Sequence, residues 1–143
     1  MKKIAIIYWS GTGNTELMAN GIAEGVKESG AEVSIFTSSE FSSKMVADYD
    51  KLAFGCPAMG AEVLEESEFE PMFTSVEKML TGKEIALFGS YGWGDGEWMR
   101  SWQQHCTDLG IIVFGDEGFM INEAPDAAGL KTCKEFGKSF ASR

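Results

Sequence analysis

The run Lys3-Ile4-Ala5-Ile6-Ile7-Tyr8-Trp9 feeds through Ser10-Gly11-Thr12-Gly13-Asn14-Thr15 into a helical pattern, and no other stretch constrains the fold as much. An apolar, β-branched run with no polar alternation reads as a parallel strand buried on both faces. Met18, Ile22 and Val26 follow at helical spacing and share one face. A strand that turns through small, hydroxylated residues into a helix N-terminus offers unpaired amides, hydroxyls and the positive end of a helix dipole. By itself the turn fits either a phosphate cradle or a capped strand–helix junction with no ligand.

Several phosphate chemistries are excluded at this turn. A nucleotide-triphosphatase loop needs a Lys, and none is present. The dinucleotide pattern needs a third Gly where Thr15-Glu16 stands. A phosphatase loop needs a thiolate and an Arg, which residues 9–16 lack. The remaining donors, Ser10, Thr12, Asn14 and Thr15, are neutral. They suit holding a terminal monophosphate without activating it for transfer.

The same alternation continues along the chain. Strands are predicted at about 3–9, 32–37, 51–56, 84–90 and 111–114, with helices at about 14–28, 68–80, 97–109 and 125–140 and a weaker one at 42–48. This βαβ pattern predicts one α/β domain over residues 1–143, a doubly wound parallel sheet with helices on both faces. Ser67-Glu68-Phe69-Glu70 fits a capping box for the helix whose core stripe is Phe69, Met72, Phe73, Val76 and Leu80. Trp98 and Trp102, at i and i+4, are expected in the core, and His105 as a solvated helix residue.

Three loops follow strands at their C-terminal ends, at 10–14, 56–67 and 90–97, and should converge on one crevice. In Gly89-Ser90-Tyr91-Gly92-Trp93-Gly94-Asp95-Gly96 the aromatics either stack on a ligand or fold back as a small satellite core. In Gly55-Cys56-Pro57-Ala58-Met59-Gly60-Ala61-Glu62, Met59 suits an aromatic face or ordinary core, and Glu62 a ring N–H or bulk water.

The net charge of −10 argues against nucleic acid and anionic membranes and for basic protein partners. Glu62, Glu65, Glu66, Glu68 and Glu70 fall within nine residues. Three unclustered cysteines, no membrane-length apolar run and an N-terminus entering a strand pattern at once lead us to expect a cytoplasmic protein without metal.

Taken in order, Trp9 to Thr15, Gly55 to Gly60, Glu62 to Pro71 and Ala86 to Gly96 closely resemble the short-chain flavodoxins of anaerobic bacteria, over essentially the full length. The resemblance implies a flavodoxin-like five-stranded sheet of order 2-1-3-4-5, an order taken from the family and not from periodicity. It also implies noncovalent FMN. Ser10, Thr12, Asn14 and Thr15, with amides of the loop including Gly11 and Gly13, would hold the phosphate. Met59 would cover the inner ring face, beside Pro57, Ala58 and Trp9, and Trp93 the outer one. Glu62 would accept from flavin N3–H, the amides of Gly92 and Trp93 would reach O2 and N1, and Ser90, Tyr91 and Gly94 would complete that wall. Pro57 replaces a Ser, and Ala61 an Asp, that some relatives carry.

The implied activity is low-potential one-electron transfer, mainly between semiquinone and hydroquinone, by a monomeric carrier rather than an enzyme. Its partners would be reductases and oxidoreductases of the ferredoxin-interacting kind, docking at the acidic flavin edge. In the family, the peptide after Gly60 flips its carbonyl toward the reduced ring. One such hydrogen bond of about 1 kcal/mol moves a one-electron potential by roughly 40 mV. The alternative is an FMN-dependent NAD(P)H reductase on the same scaffold, although Trp93 would occupy the nicotinamide face. A phospho-receiver domain would need acidic residues where Trp9-Ser10 and Cys56-Pro57 stand.

Overall fold

A computed structural model describes residues 2–60, 63–92 and 94–143. Ala61, Glu62 and Trp93, three of the expected ring contacts, lie outside the described residues. The strands are β1 (Lys3–Tyr8), β2 (Glu32–Thr37), β3 (Lys51–Gly55), β4 (Glu84–Tyr91), β5 (Ile112–Val113) and β6 (Phe119–Asn122). The helices are α1 (Asn14–Glu28), α2 (Phe69–Val76), α3 (Glu97–Asp108) and α4 (Ala127–Ser142). All strand pairs are parallel, and the order is β2-β1-β3-β4-β5, with β6 also on β4.

Alternation within the strands divides the core in two. Ile4, Ile6, Ala53, Ala86 and Phe88 pack with Met18, Ile22 and Val26 of α1 and with Cys133 and Phe140 of α4. Ala5, Ile7, Leu52, Phe54, Ile85 and Leu87 pack on the other face with α2 and α3, including Phe69, Phe73, Trp98 and Trp102. Both faces are covered, which is why the strands read as continuous apolar runs. The expected core placement of Trp98 and Trp102 holds.

Where α1 crosses α4 the backbones nearly touch. A Cβ on Gly25 would overlap the Lys134 carbonyl oxygen, and one on Gly137 would overlap that of Ile22. These glycines let the helices approach more closely than any side chain permits.

Four expectations need correcting. The fifth sheet position holds two short strands, not one: β5 pairs with Glu84–Ile85, and β6 with Phe88–Tyr91. Between them the chain turns through Phe114–Asp116, where Gly115 has φ 77° and Asp116 φ 67°. The weak helix expected at 42–48 is a 3₁₀ segment, Ser43–Asp48. The helix expected at 68–80 is α-helical only to Val76 and then tightens to 3₁₀ over Glu77–Met79.

Fourth, no capping box forms at Ser67. Glu68 occupies the N-cap without a side-chain capping bond, and the carboxylate of Glu65 does the capping. At α4, by contrast, Asp126 caps in the ordinary way, accepting from the Gly129 amide at 2.7 Å.

Candidate functional site

The strand order reverses beside β1: the chain passes from β1 to β2 on one side and returns to β3 on the other. The loops after β1, β3 and β4 therefore meet at the C-terminal edge of the sheet. They enclose an open cleft of about 420 Å³, lined by Trp9, Gly11, Thr12, Asn14, Pro57, Ala58, Met59, Gly60, Ser90, Tyr91, Gly92 and Glu123. That size suits a mononucleotide-sized ligand.

The first loop is held open by its own serine. Ser10 Oγ accepts from the amides of Gly13 and Glu16, at 3.1 and 3.3 Å. Gly13, at φ 99°, turns the chain into α1 in a conformation a Cβ would oppose. The next amide bond goes from Leu17 to the Gly13 carbonyl, 3.0 Å. The amides of Asn14 and Thr15 meet no acceptor among the described residues. Two first-turn donors thus remain for a ligand at the dipole's positive end.

Four neutral side chains were expected to serve this loop, and the structure separates them. Thr12 and Asn14 line the cleft. Ser10 is occupied by its two amides, while Thr15 is buried at 1% exposure with its hydroxyl 2.9 Å from that of Ser90. That contact ties the first loop to the third. No Lys or Arg lies in residues 9–16. Free amides plus hydroxyls without a cation fit a phosphate monoester that is held and not cleaved.

The second loop is fastened at both ends. Cys56 donates its amide to the Phe88 carbonyl at 3.1 Å, its carbonyl accepts from the Trp98 indole at 3.0 Å, and its thiol accepts from the Glu65 amide at 3.4 Å. Ala58 donates to the Ser90 carbonyl, 3.0 Å. Within the loop the Met59 amide reaches the Val63 carbonyl, 3.1 Å, closing a turn around position 60. Beyond the turn, Glu65 is 5% exposed and gathers the amides of Ser67 (2.9 Å), Glu68 (2.7 Å) and Phe69 (2.8 Å), with the Ser67 hydroxyl. Burial alone would raise its pKa, but these donors win and hold it down to about 2.

The third loop contributes Ser90, Tyr91 and Gly92 to the cleft. Tyr91 lines the cleft yet leans on the core, its ring centroid 5.7 Å from that of Trp98. Gly94, at φ 97°, stands outside the cleft lining.

A fourth wall was not foreseen. Asn122 Nδ2 donates to the Gly92 carbonyl at 2.8 Å, and the Glu123 amide to that of Tyr91 at 2.6 Å. Glu123 itself lines the cleft with φ 59°. The available sequence signal is position: Asn122 ends β6 and Glu123 follows it at the functional edge of the sheet.

The charged rim is less uniform than its composition. Glu66, Glu68 and Glu70 are exposed. Asp95 and Glu97 both pair with Arg100, at 3.1 and 2.9 Å, so their charge is partly offset. His105 is half-exposed as expected but is engaged with Glu77, Nε2 to Oε2 2.7 Å. The three cysteines are buried and free. Desolvation pushes the thiols of Cys56 and Cys106 up to about 12 and that of Cys133 to about 11, which leaves them unreactive. Among the described residues no cluster suits a metal ion, and no helix is long and apolar enough to cross a membrane.

A sequence model described as Flavodoxin matches residues 6–137. The chain belongs to the flavodoxin family. It is 49% identical to the flavodoxin of Megasphaera elsdenii over 138 residues, covering 96% of this chain and 98% of the relative. It is 47% identical to the flavodoxin of Clostridium beijerinckii over 137 residues, covering 96% and 98%. The fold superposes on the solution structure of two-electron reduced Megasphaera elsdenii flavodoxin with a TM-score of 0.87 at 48% identity, over 98% of this chain and 99% of that one. Flavodoxins are FMN-binding electron carriers, so this flavodoxin is a carrier and not a reductase. Its cation-free loop and open cleft fit that cofactor.

Proposed function

We propose that residues 1–143 act as a single, monomeric, cytoplasmic FMN domain that passes electrons one at a time at low potential to basic redox partners. The supporting observation is that Asn14, whose amide is unclaimed, lines the same cleft as Met59 and Gly92. FMN, when bound, supplies the one-electron chemistry that the side chains lining this cleft do not offer.

Its phosphate would be held by the 10–15 loop, with Thr12 and Asn14 as direct donors and Ser10 and Thr15 shaping the loop from behind. Met59 and Trp93 would cover the two ring faces. Glu62 would accept from N3–H, the amides of Gly92 and Trp93 would serve the pyrimidine edge, and Gly60-Ala61 would turn a carbonyl toward N5. Tyr91, Pro57, Ala58 and Trp9 line the cleft and would limit water around the bound ring. Low local polarity and the nearby glutamates both oppose added negative charge. That holds the second one-electron potential strongly negative. Glu66, Glu68 and Glu70, exposed where the second loop runs into α2, would steer a basic partner.

Titrating the apoprotein against FMN tests the binding reading: quenching of flavin emission at a 1:1 ratio is expected, and unquenched emission at saturating FMN would reject it. A spectroelectrochemical titration of the loaded protein should resolve two separate one-electron waves. A single two-electron wave would leave binding intact and reject the one-electron role.

A further inference from the structure

The second loop is a short bridge between two anchors, and only one of them belongs to the cleft. At its start, Ala58 is bonded to Ser90 and Cys56 to Phe88, both on β4. At its end, the chain is fixed at residue 65. There the Cys56 thiol takes the Glu65 amide, and the Glu65 carboxylate takes the first donors of α2 together with the Ser67 hydroxyl. Between the anchors stands the turn closed by Met59 and Val63. Only Leu64 separates that turn from Glu65, so the α2 end of the bridge lies one residue from the bond that closes on Met59.

We propose that Glu65 is a positioning residue, which by seating the end of the 57–64 loop on the first turn of α2 sets where Met59 and Gly60 stand against the bound cofactor. This rests on the FMN reading of the cleft. Glu65 does not line the cleft. It acts through backbone alone. A carboxylate is required because its acceptor-only oxygens can take converging amides that a neutral amide side chain would partly repel.

The competing explanation is that Glu65 is simply one more negative charge near a phosphate dianion. The two predict opposite signs. Removing a charge through space relieves repulsion and leaves FMN binding equal or tighter, whereas loosening the loop weakens it. Glu66, the exposed neighbour, provides the field-only control. The experiment measures FMN dissociation constants by emission quenching, visible spectra and both one-electron potentials for the full chain, Glu65→Gln, Glu66→Gln and Ser67→Ala.

For Glu65→Gln we expect roughly ten-fold weaker FMN binding and an altered visible band. Ser67→Ala, which keeps the carboxylate and loses only a hydroxyl donor, should change the same way by less. Glu66→Gln should bind FMN unchanged or more tightly. Should Glu65→Gln match Glu66→Gln, or melt at lower temperature with binding, spectrum and potentials intact, Glu65 is a field charge or a mere helix cap and the proposal falls. If Glu65→Gln does not fold, the graded loss in Ser67→Ala decides, and an unchanged dissociation constant there rejects the idea. Failure of the unaltered protein to bind FMN would instead reject the underlying function.

Discussion

Ser10 and Glu65 look alike in role: each is a side chain that organises a loop without facing the cleft. Ser10→Ala would leave the Gly13 and Glu16 amides without their acceptor. A loss on the order of 1 kcal/mol follows, which corresponds to FMN binding roughly five-fold weaker, readable by fluorescence titration. Glu65 carries a pH dependence. Its folded pKa, about 2, lies below the ordinary 4.5, so the stabilisation is complete above pH 4.5 and drains away as pH falls toward 2. Urea unfolding between those limits should show stability dropping by on the order of 2–3 kcal/mol from this group. In Glu65→Gln that part of the slope should vanish. Gly60→Thr, in turn, would hinder rotation of the peptide that follows it. A more negative first one-electron potential is expected, and an unmoved one would rule out that rotation as the tuning device. At this scale the sequence displayed donors but not their assignments. Ser10, Thr12, Asn14 and Thr15 were all visible as polar, yet only tertiary contacts decide that Thr15 faces Ser90 while Asn14 faces the cleft. Glu65 was lost among four neighbouring glutamates because acidity in a list does not reveal burial.

Elements were more legible, since periodicity survives without tertiary knowledge. The strand runs and the α1 stripe are where their patterns put them, because burial on both faces and on one face leave different signatures. The misses have a common cause. Capping at α2 depends on a residue that reaches forward three and four positions from outside the Ser67–Glu70 pattern. The break in the fifth position depends on positive φ at Gly115 and Asp116, a short turn that the apolar strand pattern does not mark. Packing of α1 on α4 yields a test at this scale. Gly25→Ala gains helix propensity of about 1 kcal/mol but forces a Cβ onto the Lys134 carbonyl. Overpacking costs of about 1–3 kcal/mol should prevail. Thermal melting should show a lower midpoint; a raised midpoint would mean the helices can part without penalty.

The whole molecule carries its charge unevenly, and the partner surface depends on that. With a net charge of −10 the chain would meet a basic partner faster, and in the proposed role the exposed Glu66, Glu68 and Glu70 would orient it. Electron transfer to a basic acceptor should slow as salt rises over the range where the Debye length shrinks from about 10 to about 3 Å. Stopped-flow rates indifferent to ionic strength would argue for a docking face elsewhere. Fold and family were legible at this scale because three separated loops agreed in order. The partner was not, because charge specifies a sign and no identity. The split fifth position has a practical side as well. The ladder bonds of β5 end before Gly115 and those of β6 begin after Gly118, so neither pairing is interrupted by the stretch between them. A foreign segment grafted between Gly115 and Asp116 would leave every rung of the sheet in place, which makes that corner a natural seam for tethering this carrier to another protein.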